Sequence, residues 1–260
     1  MENITQLLPT FLLIFCRITA FFAVAPVFSF GNVPNMFKVG LAFFVSATIF
    51  SVMGNETALS IDGVYALMIL KEILVGLLLG FTAYLFFTAV QVAGAFMDNQ
   101  IGFGMVNVMD PMTGAQVPVL GNFKFFLAML LFLAMNGHHY LLLALMNSYD
   151  WVPFDSQIFA RIADGGVSNF LIDAFVTMFY LAFQIAIPLV VTLFLVDVCL
   201  GILAKTMPQL NMFVVGFPVK ITVGFIMLTL LVSSFSGTFR GLFINMFEAI
   251  ERLLQLIAAI

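Results

Sequence analysis

Few side chains in this sequence could do more than pack. Three carboxylates, Asp98, Asp173 and Asp197, lie in or beside long uncharged runs. Ionisable groups in such places are costly and mark proton relays, ion pathways or interhelical partners. For Asp197 the residues favour an interhelical hydrogen bond or a pairing with Lys205. His138 and His139 are adjacent, so on a helix they point to different sides. No carboxylate or cysteine lies near them in sequence to complete a metal site. They read as packing or interfacial polar residues. Cys16 and Cys199 each stand alone in an apolar run, without a CxxC, and read as small buried hydrophobes. Neither an HExxH nor a G-x-S-x-G serine elbow occurs. No catalytic residue, metal or cofactor is expected, and the chain does not read as an enzyme.

The composition says what holds these residues. Of 260 residues 63% are hydrophobic and only 8% charged, with a mean hydropathy of +1.17. A soluble surface needs far more charge, so this is an all-α integral membrane protein with little room for a soluble domain. The 9 basic residues form no cluster able to release counterions, which excludes a nucleic-acid partner. Met1-Glu2-Asn3 lacks the cationic region of a cleaved signal, so the first apolar run is expected to be mature structure.

One stretch breaks the apolar pattern. From Gly94 to Gly121 the chain carries Gly102, Gly104, Pro111, Gly114, Pro118 and Gly121, which no continuous helix would choose. Irregular backbone near membrane depth is tolerated only where protein buries it or where it lines a watery cavity. The stretch is also apolar and rich in soft methionine: Met97, Met105, Met109 and Met112. Those properties suit a gate.

A span needs roughly 20 mostly apolar residues. Hydropathy predicts six: residues 4–25 with Arg17 inside and Pro26 at the end, 39–54, 73–97, 125–149, 167–200 with a kink at Pro188, and 221–239. An amphipathic segment, Arg240–Ile260, follows, with Asn245, Glu248, Glu251, Arg252 and Gln255 on one face. Arg17 is expected to face protein or to snorkel. On the third span Tyr84, Thr88, Gln91, Ala95 and Asp98 fall on one helical stripe leading toward Gln100, beside a stripe of Gly76, Gly80, Ala83 and Gly94. Small stripes admit close helix approach, and polar ones face protein or water. The segment from Lys205 to Lys220 has two lysines and no acid, so it reads as a cytoplasmic loop, as do the surroundings of Lys38 and Lys124. The acidic loops near residues 56 and 155 would lie outside.

Several of these residues recur in a known order. Gln91-x-x-Gly94-x-x-x-Asp98-x-Gln100-x-Gly102, then Asp110-Pro111-x-x-Gly114-x-x-x-Pro118, then Asn136-Gly137-His138 closely resemble the core of the FliR family of flagellar biosynthetic proteins. So does Leu200-Gly201 followed by Pro208-Gln209-Leu210-Asn211-x-Phe213-x-x-x-Phe217-Pro218-x-Lys220. Arg17, Pro26 and Pro34 fit the family's N-terminal pattern, so the likeness covers nearly the whole chain.

The resemblance implies a multi-pass subunit of the type III export gate in the bacterial inner membrane, at the flagellar basal body. Its partners would be FliP-like, FliQ-like and FlhB-like membrane subunits, unfolded export substrates and lipid. The whole chain, residues 1–260, would be one export-gate domain with a FliP-like N-terminal and a FliQ-like C-terminal part, in a closed helical assembly. The central loop would be a plug, with Gly102, Gly104, Met105, Val106, Met109, Asp110, Pro111, Met112, Gly114 and Pro118 as plug or gate residues. Tyr84, Thr88, Gln91, Asp98 and Gln100 would make subunit contacts, and Lys205, Pro208, Gln209, Asn211, Phe213, Phe217, Pro218 and Lys220 would form a cytoplasmic loop motif. The alternative is a proton-coupled small-solute secondary transporter using Asp98, Asp173 and Asp197. It predicts paired broken helices in two related halves, and the sequence has no convincing repeat of that kind.

Overall fold

The computed structural model describes residues 2–31, 33–53, 63–103, 118–154, 164–209 and 211–258. Among the described residues the chain forms seven α-helices and no strand: α1 (Glu2–Val24), α2 (Asn35–Met53), α3 (Gly63–Ile101), α4 (Val119–Ala134), α5 (Gly137–Trp151), α6 (Gly166–Thr206) and α7 (Met212–Ala258). The all-α membrane class follows from this. Four helices, α2, α3, α6 and α7, are long and apolar enough to cross a membrane, and the broken pair α4–α5 would make a fifth.

Local sequence explains the boundaries. Pro26 bars the residue before it from helix, and α1 stops at Val24. After the turn the carbonyl of Pro34 accepts the N–H groups of Phe37 (3.0 Å) and Lys38 (3.2 Å), starting α2. The two helices then pack together, with the Phe11 ring edge-on to Phe43 and Phe50 at 5.5 and 5.8 Å.

Several boundaries differ from those that hydropathy predicts. The run 125–149 is not one helix: it breaks at Met135–Asn136, where Asn136 takes a left-handed conformation (φ 58°) ahead of Gly137. Asparagine tolerates that region better than other residues with a Cβ. α3 begins ten residues before Ile73 and carries Lys71 and Glu72 inside it, because both are buried and paired rather than solvated at a helix end. The segment 205–220 is not all loop. α7 starts at Met212 and passes through Pro218, whose missing N–H costs one hydrogen bond without ending the helix. The amphipathic tail is likewise no separate helix but the end of the 47-residue α7. Lys124 belongs to no loop, being buried in α4. At about 1.5 Å rise per residue, α3, α6 and α7 run about 58, 61 and 70 Å, about twice a hydrocarbon core of roughly 30 Å.

The chain divides into two compact units interleaved in sequence. One comprises residues 1–85, 136–175 and 245–260. Its core includes Leu13 and Ile18 of α1, Val75 and Leu79 of α3, Leu141 of α5 and Leu253 of α7. There α3 meets α1 at glycine: a Cβ on Gly76 would overlap the carbonyl oxygen of Arg17. The end of α7 turns Ile250, Leu253, Leu254 and Ile257 inward and leaves Glu248, Glu251, Arg252 and Gln255 exposed, the amphipathic division that the sequence predicts.

The other unit comprises residues 86–135 and 176–244. Three rings centre it: Phe87 of α3, Phe132 of α4 and Phe243 of α7, with centroids 5.0 to 5.7 Å apart. Here too glycine sets the helix approach. A Cβ on Gly94 of α3 would overlap Gly121 of α4, backbone on backbone.

Candidate functional site

The central segment 104–117 lies outside the described residues, but both of its flanks are defined. On the far side Pro118 precedes α4 in extended conformation (φ −64°, ψ 124°) and offers no side-chain cap. A helix starting in apolar surroundings has N–H groups with no internal partner. Asp98, from the last turns of α3, supplies the partner. Its carboxylate accepts the Leu120 N–H at both oxygens, 3.1 and 3.0 Å, and the Gly121 N–H at 3.3 Å. Asp98 is 4% exposed, so water does not share those bonds. A capping carboxylate normally sits beside the turn that it caps. Here it comes from another helix and so ties α4 to α3. Lys124, one turn further along α4, is also buried, against Met97 Sδ (2.8 Å) and over the Phe235 ring (4.6 Å).

The near flank is held differently. Gly102 leaves α3 at φ 100°, a conformation that residues with a Cβ rarely adopt, and the Phe217 ring packs against it. Two residues earlier Gln100 Nε2 donates to Asp197 Oδ2 at 3.0 Å. Lys220 Nζ pairs with the same carboxylate, at 2.8 Å to Oδ1 and 2.9 Å to Oδ2. The Asp197 partner is therefore Lys220 and not Lys205, which sits exposed in the last turn of α6. Ile101 lies against Gly224, and the Phe103 and Phe225 rings are 6.3 Å apart. The end of α3 is thus gripped by α6 and the start of α7, while α3 itself grips the start of α4.

The family description "Bacterial export proteins, family 1" matches residues 8–246. Over 257 residues, 99% of each chain, the sequence is 45% identical to the flagellar biosynthetic protein FliR of Bacillus subtilis (strain 168). It is 30% identical to FliR of Escherichia coli (strain K12), over 92% of this chain and 90% of that one. Yop proteins translocation protein T of Yersinia pestis is 29% identical over 88% of both chains. The chain belongs to the FliR family of bacterial export proteins.

In this FliR-family chain the residues singled out from sequence fall into three groups. Asp98, Gln100, Gly102, Pro118, Phe217 and Lys220 come together at the two flanks described above. Tyr84 is exposed, Thr88 and Gln91 are half-buried, and the Gln91 carbonyl lies near Gly121. Pro208, Gln209 and Asn211 lie exposed between α6 and α7, and the Asn211 carbonyl accepts the first N–H groups of α7, from Val214 and Val215. Pro218 is exposed on α7, and Phe213 lies in its first turn. Gly104, Met105, Val106, Met109, Asp110, Pro111, Met112 and Gly114 lie outside the described residues. The three carboxylates of the transporter reading have separate surroundings: Asp98 caps α4, Asp197 pairs with Lys220, and Asp173 is exposed on α6. Among the described residues no group of three or more His, Cys, Asp or Glu could hold a metal ion.

Sequence reasoning missed a third cluster. Arg17 does face protein, but its ionic partner is Glu72, which also pairs with Lys71, and hydropathy places both of those residues outside the span that starts at residue 73. The signal was there: a buried arginine demands a carboxylate, and Glu72 is the acidic residue just before the longest apolar run.

Proposed function

We propose that this chain is a core subunit of the flagellar type III protein export apparatus, in the inner membrane at the flagellar basal body. It would help form, and plug, the passage through which unfolded flagellar proteins leave the cytoplasm. The observation that carries this reading is the 45% identity to Bacillus subtilis FliR along 99% of both chains. That relative is a flagellar protein, and on this ground we read the export as flagellar; FliR of Escherichia coli at 30% and the Yop translocation protein at 29% stand level.

The physics is compatible. α3 is largely buried within its own chain, whereas the apolar faces of α6 and α7, with Phe179, Phe194, Phe225 and Leu230, remain exposed. Helices of 41 and 47 residues with uncovered apolar faces need lipid or neighbouring subunits to cover them. FliP-like, FliQ-like and FlhB-like chains are the proposed neighbours. The plug runs from Gly102 to Pro118. Met105, Val106, Met109 and Met112 seal it by soft apolar contact, and Gly104 and Gly114 permit motion. The side chains of Met105, Val106, Met109 and Met112 offer a passing polypeptide no strong hydrogen bond.

Affinity purification of the chain with its membrane neighbours tests the assembly: recovery with FliP-like and FliQ-like subunits is expected, and small-solute uptake by the chain alone would overturn the reading. Replacing Met105, Met109 and Met112 together by glycine or serine should make the assembled complex leak ions. Unchanged conductance would remove the plug but leave the assembly standing.

A further inference from the structure

The buried charges around Arg17 take no part in the flanks of the central segment. Arg17 and Glu72 are fully buried, Lys71 is 2% exposed, and both cations pair with the one carboxylate of Glu72. Arg17 donates to both Glu72 oxygens, the Nη2 bond at 3.0 Å. Its remaining donors reach the far end of α5: Nη1 to Ser148 Oγ at 2.9 Å and Nη2 to the Val152 carbonyl at 2.8 Å. Lys71 Nζ donates to the carbonyls of Pro153 and Phe154, each at 2.7 Å, and pairs with Glu72 at 3.1 Å. The Arg17 guanidinium also lies 4.0 Å over the Tyr149 ring.

Both cations also bind chain at the end of α5. The last carbonyls of a helix lack internal partners and carry the negative end of its dipole. α5 ends at Trp151; Arg17 meets the carbonyl of its C-cap residue, Val152, and Lys71 meets the next two carbonyls, just beyond the helix. At 15 residues α5 is about 22 Å long, and it contains two histidines, an asparagine, a serine and an aspartate. Apolar burial alone gives such a helix little reason to stay in place.

We propose that Arg17, Lys71 and Glu72 form a positioning centre that fixes the C-terminal end of α5 onto α1 and α3. The forked array of N–H donors, and not charge balance alone, does the fixing. α5 then takes its place only once α1 and α3 have paired and brought the three side chains together.

The test uses the full chain in native membranes, with Cys16→Ala and Cys199→Ala, and a reporter Val152→Cys at a fully buried position. Labelling by N-ethylmaleimide reads how often the end of α5 opens. Arg17→Lys keeps the charge but loses the fork, and should speed labelling about tenfold or more. Exchanging the pair, Arg17→Glu with Glu72→Arg, keeps the net charge, but a carboxylate at position 17 cannot donate to Ser148 or to the Val152 carbonyl. It should label as fast or faster. A second reporter, Ala128→Cys, buried in the other unit, should stay protected in both. Protection at position 152 in the exchanged chain would mean that charge balance suffices, and the proposal falls. If the exchanged chain does not accumulate, the lysine variant decides. Unchanged labelling at 152, or labelling at both reporters, overturns the local positioning role.

Discussion

Asp98 offers the sharpest test of how the central segment is held. Asp98→Ala removes the acceptor of two backbone N–H groups, Leu120 at 3.0–3.1 Å and Gly121 at 3.3 Å. Losing a helix cap costs about 0.5–2 kcal/mol, and each buried N–H left without a partner costs about 1–3 kcal/mol. The substitution also removes the negative charge that interacts with buried Lys124. Stranding a buried charge brings the total toward about 3–5 kcal/mol. Asp98→Asn keeps one acceptor and loses the charge, so about half of that is expected. The quantity at stake is local opening of the first turn of α4. Amide hydrogen exchange over residues 118–124 in the purified complex reads it directly. A loss of about 3 kcal/mol corresponds to exchange roughly two orders of magnitude faster for alanine, with asparagine between it and the parent. Equal exchange in parent and alanine chains would refute the cap, and asparagine as severe as alanine would refute the share assigned to the remaining acceptor.

Gly94→Ala should lower the thermal midpoint in detergent, because its Cβ would overlap Gly121 and overpacking costs about 1–3 kcal/mol. Gly201→Ala, where nothing lies within 4 Å, should leave the midpoint unchanged or raise it slightly. Gly102→Ala forces a Cβ onto φ 100° against the Phe217 ring, a strain of about 1–3 kcal/mol that should appear as faster proteolysis after residue 101. A double-mutant cycle on Asp197 and Lys220 should give a coupling below about 1 kcal/mol, since the pair is part-exposed, and several kcal/mol would contradict that.

How much of this was legible in the sequence depends on how far the cause lies from its effect. The stripes on α3 were readable because 3.6-residue periodicity is local. Gly76 and Gly94 do meet backbone, and Asp98 does face protein. That Asp98 caps a helix start 22 residues later was not readable, since nothing nearby in sequence announces it. Lys71 and Glu72 were misplaced because a hydropathy window treats charge as the end of a span, whereas a paired and hydrogen-bonded charge can lie within one. The break in the run 125–149 did have a signal, the Asn136-Gly137 turn pair, which the neighbouring histidines obscured. The continuity of α7 through Pro218 had none, because a proline reads as a stop unless neighbouring contacts hold the helix on both sides.

Two sets of buried charges in the described chain meet helix ends. A carboxylate from α3 meets the N–H groups that open α4, a cation from α1 meets the C-cap carbonyl of α5, and one from α3 meets the carbonyl just beyond it. At both ends the sign matches the helix dipole. Water would satisfy such ends on a soluble protein, at little cost and with little precision. In apolar surroundings it cannot, so a short helix is either capped by side chains or does not form there. Charged caps have a second effect that apolar packing lacks. They fix the start of α4 along its axis, because sliding by one residue breaks the hydrogen bonds outright. For a subunit proposed to hold an irregular segment across a passage, that axial fixity matters more than the net stability of the buried charge. It explains why α3, otherwise an apolar rod, carries Lys71, Glu72 and Asp98 at the two places where another helix ends against it.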